Sequence, residues 1–206
     1  MSGMTGAGAE RSAFLPMNDG HLAFLASDQW AQMLRADLLP WLTEGRDLGD
    51  DVLEFGPGPG LTTELLKEHA ARVTAVELDE RLAVAVADRL AGSNVQVLHG
   101  DGTQTGLESD RFSAVACFHV LHHVPTADLQ TQLFAEAHRV LRPGGVLLFA
   151  DALDQPEVRD RHAAEGETFM PIDPAQLPNN LQRLGFVDCR IDQGGYQLLC
   201  RASKPA

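Results

Sequence analysis

From Val52 to Leu66 the sequence reads VLEFGPGPGLTTELL, and three alternate glycines, Gly56, Gly58 and Gly60, stand where an apolar run gives way to a helix-like one. Missing β-carbons let a ligand approach the backbone and allow dihedrals that other residues avoid. Three acids occupy related places. Glu54 immediately precedes the glycines, Glu77 ends the run VTAVE 21 residues after Gly56, and Asp101 lies in HGDG. A carboxylate at the position of Glu77 suits ribose hydroxyls, and one at Glu54 suits a cationic group. Phosphate fits poorly: the spacing is G-x-G-x-G, not G-x-G-x-x-G, Pro57 and Pro59 carry no N–H, and Glu54 is negative. A second constellation, FHVLHHV, contains His119, His122 and His123, whose imidazoles titrate near physiological pH and could take a proton from an acceptor. The three histidines lack a fourth ligand in the sequence, so no metal is expected.

These residues need elements to position them. DDVLEF, VTAVELD, VQVLHGD, FSAVACFHV and VLLFAD read as five strands, and the helix-like runs LTTELLKEHA, DERLAVAVADRLA and about 126–141 fall between them. Strands that are apolar without alternation, alternating with helices, indicate a parallel sheet covered on both faces. The ligand crevice of such a sheet lies outside the carboxyl ends of its strands, which brings Glu54, Glu77 and Asp101 to one site. Before the first strand, residues 21–42 space apolar side chains as one or two amphipathic helices, capped by Ser27 or Asp28 and ending before Pro40. Residues 1–20 are small and polar and are expected to be loose. After the fifth strand, residues 152–172 are polar and limited by Pro156 and Pro171. A helix opening at Asp173 or Pro174 follows, and strands over 186–192 and 196–204 close the chain as a hairpin. The expected division is an N-terminal segment with a helical lid over 1–47 and a ligand-binding domain over 48–206.

Composition narrows the partners. The 206 residues carry a formal charge of −13, with Lys67 and Lys204 the only lysines, which argues against nucleic-acid binding. Cys117, Cys189 and Cys200 form no CxxC pair and read as buried thiols of a reducing compartment. No apolar run has the length of a membrane span, and the first twenty residues lack the basic start and apolar run of a signal peptide. A cytoplasmic protein without membrane partners is expected, with a homodimer left open.

VLEFGPGPG, VTAVELD, HGDGTQ, FSAVACFHVLHHV and VLRPGG, in this order and at these intervals, resemble the motifs of the class I S-adenosylmethionine-dependent methyltransferases. The resemblance spans about residues 48–151 in motifs and the rest in topology. It implies an α/β, doubly wound, Rossmann-like seven-stranded sheet of order 3-2-1-4-5-7-6 with strand 7 antiparallel. It also implies S-adenosyl-L-methionine as cofactor. Gly56, Gly58 and Gly60 would border its methionine portion, with Glu54 beneath. Glu77, followed by Leu78, would hold the ribose, and Asp101 and Gly102 would meet the adenine. Phe118 and His119 would line the methionine side, with His119 and His122 as catalytic candidates. The fourth motif carries histidines instead of an N-P-P-Y tetrad, and the fold leaves few residues for docking a large substrate, so a small-molecule acceptor is expected.

Two other readings compete. A domain of this type can bind the cofactor as a sensor or scaffold without transferring methyl groups. A nicotinamide-dependent oxidoreductase would need a third glycine spaced for pyrophosphate and a Tyr–Lys pair. The single tyrosine, Tyr196, has no lysine near it in sequence.

Overall fold

A computed structural model of the chain describes residues 18–43 and 48–206. The expected loose stretch over 1–17 lies outside the described residues, and the expected boundary between 47 and 48 adjoins the undescribed 44–47. Seven strands form one sheet: β1 (Asp51–Phe55), β2 (Arg72–Glu77), β3 (Val95–His99), β4 (Phe112–Phe118), β5 (Leu141–Ala152), β6 (Val187–Gly194) and β7 (Gln197–Ser203). Their order is β3-β2-β1-β4-β5-β7-β6, and β7 runs antiparallel to both of its neighbours. This is the order the resemblance implied.

Register explains why one edge of the sheet carries the chemistry. Phe55 pairs with Val76 on one side and Cys117 on the other, and Phe118 pairs with Ala150. Glu77 and Phe118 therefore end their strands, and Asp151 stands one residue before the end of β5, at nearly the same level as Gly56. β1 and β4 are buried along their whole length, and β2 and the second half of β5 nearly so, because both faces are covered there, whereas the edge strand β3 is only half-buried. Along β5, Leu147 and Phe149 enter a cluster with Leu133 and Phe134 of α6 (Ala127–Val140), whereas Leu148 and Ala150 enter a cluster with Trp30 and Leu34. Alternate side chains thus build two cores on opposite sides of one sheet.

The N-terminal helices complete the second core. In α1 (Asp19–Leu25), the Asn18 side chain accepts from the His21 N–H. Ser27 accepts from the Trp30 N–H to start α2 (Asp28–Met33). The helix does not stop before Pro40 as expected. A π-helical turn (Leu34–Leu38) carries it into α3 (Leu39–Thr43). Pro40 has no N–H for the carbonyl of Ala36, and widening the preceding turn relieves the ring clash that would otherwise end the helix. Between the strands lie α4 (Leu61–Leu66) and α5 (Glu80–Arg89).

The tail holds two further differences. Residues 156–165 form a helix, α7 (Pro156–Glu165), where a polar segment without long elements was expected. Pro156 opens it in the first turn, and Gly166, at φ +69°, closes it in the left-handed conformation. α8 (Leu177–Arg183) begins four residues later than Asp173, because Pro178 is tolerated only in a first turn. β6 and β7 then form the closing hairpin, turning at Gly195 and Tyr196.

Phe149 is fully buried in the central region of the sheet, with its ring centroid 5.6 Å from that of Phe134. Phe149→Ala should cost about 3–5 kcal/mol in urea unfolding, the transfer free energy plus a cavity between two rigid layers. A loss under about 1 kcal/mol would contradict this packing.

Candidate functional site

The loop from Gly56 to Gly60 is shaped by its glycines and closed to phosphate by its hydrogen bonds. Gly56 has φ +64°, and a β-carbon there would come within 2.5 Å of Val120 Cγ2. Gly58 has φ +53° and faces open space, with Leu25 Cδ1 the nearest atom at 4.0 Å from an added β-carbon. The Gly56 N–H donates to the Val76 carbonyl, the Gly58 N–H to Glu77 Oε2 and the Gly60 N–H to the Pro57 carbonyl. Pro57 and Pro59 have no N–H. All five positions are accounted for, so none offers a donor to a pyrophosphate.

Three buried carboxylates sit at the strand ends. Glu54 accepts from the hydroxyl of Thr62 and, at 2.6 Å, from that of Thr63, both on the first turn of α4. Burial raises its pKa to about 7 against these two hydrogen bonds. Glu77 accepts from the N–H of Gly58 and of Asp79, each at 2.9 Å, which ties the glycine loop to the end of β2. Burial raises its pKa as well, opposed by those backbone donors. Asp151 accepts from the N–H of Leu121 at 2.8 Å, the N–H of Ala152 at 2.7 Å and Nδ1 of His122. Asp101 differs, because its Oδ1 receives both the N–H and the hydroxyl of Thr103 in a local turn.

The histidines follow β4. His119 has φ +55°, a left-handed conformation uncommon for a residue with a β-carbon, and its N–H donates to the Ala150 carbonyl. Its ring meets Trp30 edge to face at 4.9 Å, and its buried Nε2 has no hydrogen-bond partner. Burial lowers its pKa to about 3, which keeps it neutral at physiological pH. His122 sits in a 3-10 turn (Leu121–His123) and is only 1% exposed. Burial holds it neutral too, so its Nδ1 proton points at Asp151 and its Nε2 lone pair is unpartnered.

Two cavities open at this edge. The first, about 490 Å³, runs from Glu77, Leu78 and Asp101 to Phe118 and His119. The second, about 520 Å³, lies beyond, with Phe24, Met33, Arg161 and Tyr196 in its wall. Trp30 and His119 border both cavities. Among the sequence-predicted residues, Gly56, Gly58, Glu77, Leu78, Asp101, Gly102, Phe118 and His119 line the first cavity. Glu54 lies beneath its floor, Gly60 packs behind it against Val86 and Arg89, and His122 lines neither cavity.

Residues 53–149 match the family model described as "Methyltransferase domain". A probable S-adenosylmethionine-dependent methyltransferase of Mycolicibacterium smegmatis is 33% identical over 149 residues, 68% of this chain and 53% of that protein. Ribosomal RNA small subunit methyltransferase A of Deinococcus radiodurans is 38% identical over 120 residues, 57% of this chain and 37% of that protein. The chain thus spans about half or less of the curated relatives it matches. A solved structure, a SAM-dependent methyltransferase from Aquifex aeolicus, superposes with a TM-score of 0.70 at 17% identity, covering 91% of this chain and 99% of that one. The chain carries a methyltransferase domain over residues 53–149, and its relatives support the class I S-adenosylmethionine-dependent methyltransferases as its family. Its first cavity fits that family's cofactor on chemical grounds. Such a methyltransferase holds a ligand with a cationic sulfonium and a ribose and without phosphates, and here the loop donors are occupied while carboxylates stand at the strand ends.

Sequence reasoning did not bring together one group of residues packed beside these cavities. His21, which carried no signal in the sequence, is buried against the second cavity. His162 and Glu167 are packed beside it. Their positions depend on α7, and the spacing of Pro156 and Gly166 around a helix-length segment was the signal that could have placed it.

The pKa of Glu54 makes stability depend on pH. A carboxyl at about 7 in the fold, against an ordinary 4.5, favours folding most below pH 4.5, and this advantage is lost as pH rises to 7. Between pH 5 and 7.5 the wild type should therefore lose about 2 kcal/mol relative to Glu54→Gln, read from denaturant midpoints at each pH. Parallel pH profiles for the two proteins would place the Glu54 pKa near its ordinary value.

Proposed function

We propose that the chain transfers the methyl group of S-adenosylmethionine to a small molecule held in the second cavity. The observation that carries this reading is the pair of adjoining cavities meeting at Trp30 and His119, one with the family's cofactor-binding acids and one without them. When bound, the cofactor supplies an electrophilic methyl carbon on a sulfonium. The residues at the junction then have to position an acceptor in line with that carbon and keep water out.

The wall of the second cavity favours a particular acceptor. Asp37, Glu157 and Asp192 face Arg161 there, leaving it net acidic, and Phe24, Met33 and Leu199 supply apolar surface. A neutral or cationic molecule with an apolar body fits this wall; a polyphosphate does not. His119, neutral with a free Nε2, can accept a hydrogen bond from the acceptor and orient it. With its pKa near 3 it is a weak base, so the acceptor must arrive with a lone pair available or lose its proton easily. Glu77 would hold the ribose hydroxyls through lone pairs that its two backbone donors leave free.

The similarity to a ribosomal RNA methyltransferase favours a second reading, an RNA acceptor. Against it stand the net charge of −13 and the acidic wall, both of which repel phosphates.

Glu77→Ala should weaken S-adenosylhomocysteine binding about 100-fold in calorimetry, through loss of charged hydrogen bonds to the ribose. An affinity within about threefold of wild type would remove Glu77 from the cofactor site. In turnover assays, S-adenosylhomocysteine release is expected with small apolar amines, phenols or thiols. Release with ribosomal RNA alone would reverse the acceptor assignment, and cofactor binding without release across both panels would favour the scaffold reading.

A further inference from the structure

We propose that His21, His123, His162 and Glu167 form a binding site for a divalent transition-metal ion of the zinc class. The four side chains come from three separate parts of the chain: α1, the turn after β4, and α7 with the residues just beyond it. One ligand atom from each lies within 4.8 Å of all the others. This donor set, three imidazoles and one carboxylate, is the kind that binds zinc in four-coordinate sites.

The ring geometry gives independent support. The centroids of His21, His123 and His162 are separated by 5.1, 5.6 and 5.5 Å, a nearly equilateral triangle. An ion about 2.0–2.1 Å from an imidazole nitrogen lies roughly 3.2 Å from that ring's centroid, so three tetrahedral histidines would set their centroids about 5.2 Å apart. Glu167 Oε2 lies 2.9 Å from His21 Nδ1 and 3.9 Å from His162 Nε2. These distances bracket the roughly 3.3 Å edge of such a tetrahedron.

The hydrogen-bond pattern also leaves the right atoms open. His162 is fully buried, and its Nδ1 lies 2.8 Å from the Val158 carbonyl, which can only accept. Nδ1 is therefore the protonated nitrogen, and the Nε2 lone pair faces Glu167 with no hydrogen-bond partner. At 3.9 Å the two cannot share a proton. Nε2 of His123 is also buried without a partner. Glu167 Oε1 accepts from the Asn18 N–H at 2.7 Å, which orients the carboxylate so that Oε2 faces the histidines. Supporting hydrogen bonds of this type on a histidine and a carboxylate are the usual outer layer of a metal site. Burying the Nε2 lone pairs of His123 and His162 without partners is otherwise unfavourable, and a cation at the centre would satisfy both, with His21 Nδ1 exchanging its hydrogen bond to Glu167 for the ion.

The ion would join α1 to the sheet edge and to α7, closing the wall shared by the two cavities. His123 lines the first cavity and His21 the second. The site does not depend on which acceptor is methylated.

The test uses cobalt(II) as the probe, added to chelator-treated full-length protein, with the intense visible bands of tetrahedral cobalt as the readout. One equivalent should bind in the wild type. Glu167→Gln and His162→Gln should each weaken binding by at least about tenfold. S-adenosylhomocysteine binding, measured in parallel, reports whether each variant is folded; if His162→Gln is not, Glu167→Gln carries the comparison. Absence of a saturable band in the wild type at about 1 mM cobalt, or wild-type affinity in folded Glu167→Gln, would overturn the site. A cobalt band without S-adenosylhomocysteine binding would count against the cofactor reading alone.

Discussion

Three carboxylates are buried along one edge of one sheet, and the surroundings of that edge follow from the need to compensate each of them in place. A buried carboxylate without donors is costly enough to be protonated or excluded. Glu54 recruits the hydroxyls of Thr62 and Thr63, which fixes the start of α4. Glu77 recruits the Gly58 and Asp79 N–H groups, which holds the glycine loop down on β2. Asp151 recruits the Leu121 N–H and His122, which sets the turn after β4. Glu54 thus determines the conformation of the segment that follows its own strand, and Glu77 and Asp151 that of the segment after a neighbouring strand. The cavity is the space left between those segments.

This arrangement explains what the sequence made legible. Strand positions, sheet order and the acids at strand ends are encoded locally: VLEF, VTAVE and FSAVACF are apolar because both faces of each strand are covered, and Glu54, Glu77 and Asp101 interrupt or follow such runs. The α7 helix was not legible, because only Val158 and His162 of its ten residues are buried and no apolar periodicity marks it. The extension of the N-terminal helix past Pro40 was not legible either, since a proline ends most helices and only the packing of Leu34, Leu38 and Leu39 on the sheet supports the wider turn. His21 pairs with Glu167 across 146 residues, a contact that no local pattern could contain.

The fourth motif illustrates the same division. Sequence placed His119 and His122 side by side as candidates, three residues apart. The left-handed backbone at His119 separates them, turning one ring toward Trp30 and the cavities while the other goes to Asp151 behind the wall. A residue with a β-carbon stays in that conformation only where its surroundings over-determine it. Here the Ala150 carbonyl holds its N–H, and Trp30 packs against its ring.

Neutral imidazoles packed together have a chemical consequence at this edge. Burial lowers the pKa values of His119, His122 and His123, and each further proton would be repelled by the neighbouring rings, and at His119 and His122 by Arg161 as well. A cationic cofactor bound next to them adds to that repulsion. These three rings therefore offer lone pairs and not protons, which suits hydrogen-bond acceptance toward a methyl acceptor at His119 and coordination of a cation at His123. On this reading one physical state, a set of desolvated neutral imidazoles, serves both proposed roles. The acidic residues nearby set how the roles are divided: Asp151 fixes the proton of His122 away from the cavities, and Glu167 places a negative charge where a cation would bind.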